Sequence, residues 1–347
     1  MRVFIFLILF STAAYGQDIR IITRPEAIYV QRVTGNITPM ERIFFHIIVH
    51  NASQNPVTIE LLRFHLSSAE GAVLSGQYSG PSLTRLFDSA IDRRRIEPTP
   101  KQTLTIGPDQ RKAVSDVFID CPADFAGDSL TVEVQYQSGG VMKSERTTSP
   151  LNRVEGFSGR LPFEGTWYVA SEHSYQDPHK RFAAEAFAYD FIQIGANGKS
   201  YQREGLRNSD YYAYGKKVLA TKDGKVVFVQ TAIAENEPGK TNVNMPGGNV
   251  VVIDHGDNQF SYYAHLRPNT IMVREGAQVR AGDVLGEVGN SGDSLEPQLH
   301  FHVMNHASPD QADGIPAVFT MWKAQAYGRS PVVRDLAPLP RGEFVAP

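Results

Sequence analysis

Short apolar runs separated by turn-forming residues make up the first part of the chain, and none keeps the 3.6-residue period of an amphipathic helix. The clearest run, residues 129–137, alternates strictly between polar and apolar positions. Similar runs rich in β-branched and aromatic residues occupy residues 42–50, 57–66 and 103–106. This pattern predicts strands, and an immunoglobulin-like β-sandwich is the expected architecture of the N-terminal domain.

The pattern changes at residues 149–167, which carry Pro, Gly and Arg without periodicity and are predicted to form a linker. Beyond it, short strands alternate with turns that contain glycine. These strands are expected at residues 218–220, 225–230, 249–254, 260–265, 271–273, 284–288 and 299–304. Because the intervals between them are too short for helices, the sequence predicts a second all-β domain at residues 157–347.

The first 16 residues have the pattern of an export signal. A short positive region precedes an apolar core at residues 3–10 and a small-x-small cleavage site at residues 14–16. The first domain is therefore expected at residues 17–156 of a secreted or periplasmic protein. The apolar core is shorter than the roughly 20 residues that span a bilayer, and no later segment is long and apolar enough to span one.

Composition and charge exclude several classes of function. The chain has 347 residues and a formal net charge of −3, so it lacks the basic field with which proteins grip a nucleic acid backbone. Its single cysteine, Cys121, excludes an internal disulfide and a zinc cluster built from cysteines. Any metal ion must therefore be held by histidines and carboxylates.

A series of short motifs follows in a fixed order along the second half of the chain. The series begins with Tyr189-Asp190-Phe191 and continues through residues 215–220, 223–227, 248–256, 262–266, 276–283, 289–292 and 297–301. In this order the chain resembles the lysostaphin-type (LytM-like) zinc metalloendopeptidases, which are peptidoglycan hydrolases. The resemblance implies a duplicated hybrid motif fold, a β-sheet and barrel-sandwich peptidase domain.

The resemblance also implies a zinc site. The family holds the ion with a first histidine, the aspartate of the Tyr-Asp-Phe motif and the second histidine of a His-x-His strand, and here Asp190 and His300 stand at the last two positions. The family's compact His-x-x-x-Asp spacing is absent, because Ala186 stands four residues before Asp190. His179 is favoured as the first ligand, and His173 is the alternative. Three protein ligands and one open position suit a catalytic zinc, which lowers the pKa of its water from 15.7 to about 7.

By the same resemblance, two further positions would assist the reaction. His265 matches the family's catalytic histidine, which orients the water or stabilises the oxyanion. Gln298 stands where the family has the first histidine of the His-x-His strand, and an amide cannot accept a proton at neutral pH. Taking His300 and His302 as that pair would move each group by roughly 6.6 Å along the strand, so His302 is expected beside the site or at the surface. His255 is expected to be a turn residue.

Three classes of function fit these residues. The leading hypothesis is a zinc endopeptidase that cleaves peptide cross-links of peptidoglycan. The second is a catalytically impaired relative, marked by Gln298, that binds cell wall or regulates another hydrolase, with the N-terminal domain docking a protein partner. The third is a carrier domain, because residues 276–289 resemble a biotinyl or lipoyl carrier hairpin and the glucose-specific phosphocarrier domain has a related β-fold. A biotinyl or lipoyl carrier needs a modified lysine on a tight turn, and the Met-Lys pair Met142-Lys143 lies outside this block. A phosphocarrier works in the cytoplasm, which disagrees with the expected export signal.

Overall fold

The computed structural model describes residues 18–25, 28–33, 40–68, 71–88, 103–122, 125–153, 156–171, 179, 182–326 and 330–347. Strands dominate these residues, and a single α-helix, α1 (Gly80–Asp88), occurs among them. The predicted all-β class is confirmed. Within the described ranges, no helix is long and apolar enough to cross a membrane.

The strands are short and follow one another closely along the chain. In order they are β1 (Ile19–Arg24), β2 (Ile28–Val33), β3 (Met40–Asn51), β4 (Val57–Ser68), β5 (Gly71–Ser79), β6 (Leu104–Ile106), β7 (Arg111–Pro122), β8 (Ser129–Ser138), β9 (Val141–Asn152), β10 (Phe157–Gly159), β11 (Trp167–Ser171), β12 (Tyr189–Ile192), β13 (Lys217–Leu219), β14 (Gly224–Gln230), β15 (Asn249–Asp254), β16 (Phe260–Leu266), β17 (Gln278–Val279), β18 (Val284–Glu287), β19 (Leu299–Met304), β20 (Gly314–Ile315), β21 (Ala317–Phe319), β22 (Trp322–Gln325), β23 (Val332–Arg334) and β24 (Phe344–Ala346). Among the described residues, 3-10 helices at Asn208–Asp210 and Pro309–Gln311 lie between strands.

The chain divides into two compact units. The first comprises the described residues of 1–23, 47–114 and 127–149, and the second those of 24–46, 115–126 and 150–347. The expected domain division between residues 156 and 157 stays a prediction. So does the export signal at residues 1–16, which lies outside the described residues.

In the first unit, β4 is paired antiparallel with β5, β6 and β8. β8 alternates between half-buried and buried positions, because successive side chains of a strand point to opposite faces. Its buried residues are Leu130, Val132, Val134 and Tyr136. The strict alternation expected at residues 129–137 is therefore present, while the immunoglobulin-like arrangement stays a prediction.

The second unit is built on a long sheet in which β19 lies between β16 and β12. All six residues of β19 are buried. Leu299, Phe301 and Val303 enter the main hydrophobic core, so His300 and His302 point to the opposite face. The antiparallel register places Asp190 of β12 opposite His300. Sheet pairing alone thus brings two expected ligands together.

Two predictions about this unit are wrong. Residues 271–273 are not a strand, although Met272 N donates to Leu285 O at 2.9 Å. The expected linker at residues 149–167 is packed structure, because it contains β10 and the fully buried side chains of Phe157 and Phe163. Buried aromatic residues at irregular spacing show no periodicity. The Pro and Gly residues around them therefore indicated a linker.

Candidate metal centre

Three of the expected ligands meet on one face of the sheet of the second unit. His179 Nε2 lies 3.3 Å from Asp190 Oδ2, and His300 Nδ1 lies 3.0 Å from Asp190 Oδ1. The ligand atoms of all three residues lie within 4.8 Å of one another. His173, the alternative first ligand, lies outside the described residues.

This group fits a zinc ion. Ligand atoms at about 2.0–2.1 Å from a tetrahedral zinc are roughly 3.3 Å apart, which is close to the separations from Asp190 to the two histidines. One carboxylate and two imidazoles are common zinc ligands, and three protein ligands leave the fourth position open. The side chains are largely withdrawn from solvent, with exposed fractions of 15% for His179, 14% for Asp190 and 5% for His300.

Asp190 is kept ionised by its neighbours. Burial works to raise the pKa of this carboxyl group, but attraction to His179, the hydrogen bond from His300 and the nearby His265 outweigh burial and lower the pKa to about 2. A buried carboxylate is unfavourable unless it is paired or binds a cation. The site therefore presents a charged carboxylate at neutral pH.

His265 reaches the same face through an unusual backbone conformation. Its φ is 61°, in the left-handed region that non-glycine residues seldom occupy. Tyr263 and Leu266 both enter the main core, so the strand's alternation is broken at His265. The broken alternation places the His265 ring 5.6 Å from the His300 ring, centroid to centroid. Such strain is characteristic of functional sites.

The tautomer of His265 follows from its hydrogen bond. Its Nδ1 lies 2.8 Å from the carbonyl oxygen of Ser291, which can only accept, so Nδ1 carries the proton and Nε2 has a lone pair. Burial, followed by repulsion from His300, lowers the pKa of His265 to about 4. The ring is therefore neutral at neutral pH.

A tight loop contact supports His265 from behind. The His265 N–H donates to Gly247 O at 3.0 Å, and Ser291 Oγ accepts from Asn249 N at 3.0 Å. Gly248 has a φ of +62°, and a Cβ there would collide with Ser291. Only glycine allows the two loops to approach this closely.

Three further positions singled out in the sequence, Gln298, His255 and His302, differ in their position relative to the ligand group. Gln298 is half-buried and directly precedes β19. Because residues two apart in an extended chain point to the same face, it lies on the face of His300. His255 follows β15, and its Nδ1 donates to Asp223 O at 2.8 Å, away from the ligand group. His302 is fully buried, which excludes the surface position. Its Nδ1 lies 2.9 Å from His300 Nε2, a contact that the spacing in the sequence did not identify.

Comparison with known proteins identifies the family of this domain. A family model described as peptidase family M23 matches residues 209–312. Lipoprotein NlpD of Yersinia enterocolitica is 32% identical over 89 residues, which are 26% of this chain and 77% of that relative. The chain belongs to peptidase family M23. The matched M23 region contains His265, Gln298 and His300 but begins after Asp190, whose place rests on the sheet register.

Other M23 relatives are matched over part of their length. The peptidoglycan DD-endopeptidase ShyA of Vibrio cholerae is 33% identical over 236 residues, which are 67% of this chain and 49% of ShyA. The cell division protein DipM of Caulobacter vibrioides is 30% identical over 110 residues, which are 32% of this chain. This chain spans only 16% of the length of DipM. The lysostaphin catalytic domain of Staphylococcus simulans is similar at 20% identity with a TM-score of 0.26, over 44% of this chain and 88% of that domain.

Proposed function

We propose that the M23 domain is a zinc-dependent endopeptidase that hydrolyses peptide cross-links of peptidoglycan, in a secreted or periplasmic protein. The proposal is carried by one observation: His179, Asp190 and His300 bring their ligand atoms within 4.8 Å of one another. The similarity to ShyA, a peptidoglycan DD-endopeptidase, supports the substrate class.

A zinc ion held by these residues would lower the pKa of a water molecule and polarise the carbonyl of the scissile peptide bond. Asp190 contributes one negative charge, and the two histidines would bind as neutral rings. The ligands therefore leave the site with a net positive charge. Such a charge favours the transition state, in which negative charge develops on the carbonyl oxygen.

His265 is proposed to move the proton of the attacking water. Its Nδ1 is occupied by the carbonyl of Ser291, which fixes the ring and leaves the Nε2 lone pair on the other edge. A neutral imidazole can accept a proton there and pass it on to the leaving amine. The low pKa of about 4 keeps this lone pair available at neutral pH.

Gln298 is proposed to orient the substrate or the water through its side-chain amide. The amide both donates and accepts hydrogen bonds, but it does not take up a proton at neutral pH. The site thus has one proton acceptor, His265, where the lysostaphin-type pattern has two histidines. The reaction would depend on His265 more heavily than in that pattern.

The test is to measure bound zinc and peptidoglycan hydrolysis in the same preparation. We expect about one zinc ion per chain, as for a single three-ligand site, and release of soluble peptide fragments from purified peptidoglycan. Removal of the ion with a chelator should abolish hydrolysis, and zinc should restore it. A folded wild-type protein that binds no zinc and releases no fragments would contradict the proposal.

Gln298 favours a second candidate function, a zinc-binding relative with little activity that binds cell wall or regulates another hydrolase. NlpD of Escherichia coli, which is 34% identical over 89 residues, is a murein hydrolase activator, and this supports the regulatory role. The Gln298→His variant separates the two candidates. If the wild type is impaired, the variant should gain on the order of 10²-fold in kcat, because it regains an acid/base group. An active wild type that gains nothing from the substitution removes the second candidate.

A further inference from the structure

Behind the candidate metal centre, the ligand His300 is in contact with a second buried histidine that the proposed chemistry does not use. His300 Nε2 lies 2.9 Å from His302 Nδ1. The His302 ring stacks on Tyr262 of β16, with centroids 4.6 Å apart and planes at 18°. His302 is fully buried, and its ring is held by these two contacts.

A bound metal would decide which nitrogen of this pair carries the proton. The inner edge of His300 faces the ligand group, with Nδ1 3.0 Å from Asp190 Oδ1. A nitrogen that binds a metal must offer its lone pair, so a neutral His300 in the loaded protein carries its N–H on Nε2. That N–H points at His302 Nδ1, which must then accept, and the proton of His302 lies on its own Nε2.

When both rings are neutral, the metal-free protein takes the opposite arrangement. The Asp190 carboxylate can only accept, so His300 Nδ1 carries the N–H and donates to it. His300 Nε2 then accepts from the Nδ1–H of His302. Each ring holds one proton in both arrangements. Loading therefore exchanges tautomers and leaves the charge of the pair unchanged.

We propose that His302 is a positioning residue for the zinc ligand His300, and that metal loading reverses the direction of the hydrogen bond between them. The inference rests on the zinc site of the proposed function. A partner that accepts from the outer nitrogen of a ligand histidine fixes the orientation of its ring. A carboxylate in this place would add a negative charge to the site. The neutral His302 ring orients His300 and leaves the positive charge of the site intact.

Two substitutions distinguish this role from simple packing. His302→Phe keeps a ring on Tyr262 and removes the acceptor, whereas His302→Asn provides an amide oxygen near the position of Nδ1. We expect a loss of about 10–100-fold in zinc affinity for His302→Phe, measured by chelator competition, and recovery of most of that loss in His302→Asn. His255→Phe, the same change outside the ligand group, should bind zinc like the wild type.

The tautomers can be read directly from the wild type by nitrogen NMR of a protein labelled in its histidines. At a pH at which both rings are neutral, we expect the N–H of His302 on Nε2 with zinc and on Nδ1 without it. This measurement decides the question even if His302→Phe does not fold. An N–H on Nδ1 of His302 in the zinc-loaded protein, or unchanged zinc affinity in a folded His302→Phe, overturns the proposal. A wild type that binds no zinc instead refutes the metal centre itself, before any variant is made.

Discussion

The two sides of the candidate site are built in different ways. Asp190 and His300 face each other across neighbouring strands, so the ladder of sheet hydrogen bonds sets their separation. His265 instead depends on a left-handed backbone conformation and on a few loop contacts around Ser291 and Gly248. We call Asp190 and His300 the strand side of the site, and His265 with its loop contacts the loop side. A mutation on one side should leave the geometry of the other side unchanged. We therefore expect that mutations can separate the proposed metal binding from the proposed catalysis.

The largest expected loss of zinc binding and hydrolysis comes from a mutation of Asp190, on the pair of strands that carries Asp190 and His300. Asp190→Asn replaces the charged ligand by a neutral amide, and we expect a loss of zinc affinity on the order of 10³-fold together with the loss of detectable hydrolysis. Chelator competition and fragment release measure the two effects. Asp254→Asn, a carboxylate change at the end of β15, serves as the matched control. If Asp190→Asn binds zinc as tightly as the control, Asp190 is not a ligand.

On the loop side, His265→Gln should separate catalysis from metal binding. We expect kcat to fall by about 10²–10⁴-fold, the usual contribution of a general acid or base, while zinc content stays that of the wild type. His255→Gln should leave both quantities unchanged. A His265→Gln variant that loses its zinc would mean that the two sides are not independent.

The contact between the loops of Gly248 and Ser291 can be tested by substituting alanine at two glycines, one inside the contact and one outside it. Gly248 and Gly239 both have positive φ, but a Cβ at Gly248 would meet Ser291, whereas Gly239 faces open space. We expect Gly239→Ala to lower the free energy of unfolding by about 1 kcal/mol and Gly248→Ala by about 3 kcal/mol, since only the second adds a collision to the backbone strain. Urea unfolding measures both. Equal losses would show that the close approach of the loops is not needed.

The smallest effect is a dependence of stability on pH in the metal-free protein. The pKa of His265 is lowered to about 4, below the ordinary value of 6.5, so the unfolded chain takes up this proton first as the pH falls. The folded state therefore loses stability between pH 6.5 and about 4, and the part due to His265 amounts to about 2 kcal/mol between pH 7 and 5. Asp190 contributes only below its ordinary value of 3.8. Urea unfolding of His265→Gln should show a smaller loss over this range, and an equal loss would contradict the prediction.

The same contrast explains what could be predicted from the sequence. The strand that carries His300 was expected at residues 299–304, whereas the strand that carries Asp190 was not, and the order of the motifs points to both ligands. The backbone turn at His265 leaves no mark in composition, because its cause is a loop contact distant in sequence. For His302 the sequence left two positions open, beside the site or at the surface, and did not decide between them, because strand spacing fixes a face but not the direction of a ring.

The separation of the ligands along the chain has a consequence for how the site is assembled. Asp190 and His300 are 110 residues apart, and they meet only when β12 and β19 have paired. Closing so long a loop is entropically unfavourable in the unfolded chain, so zinc has no preformed partner there. Uptake of the ion should therefore follow folding rather than nucleate it. Metal content would then report the fraction of molecules that have completed the sheet.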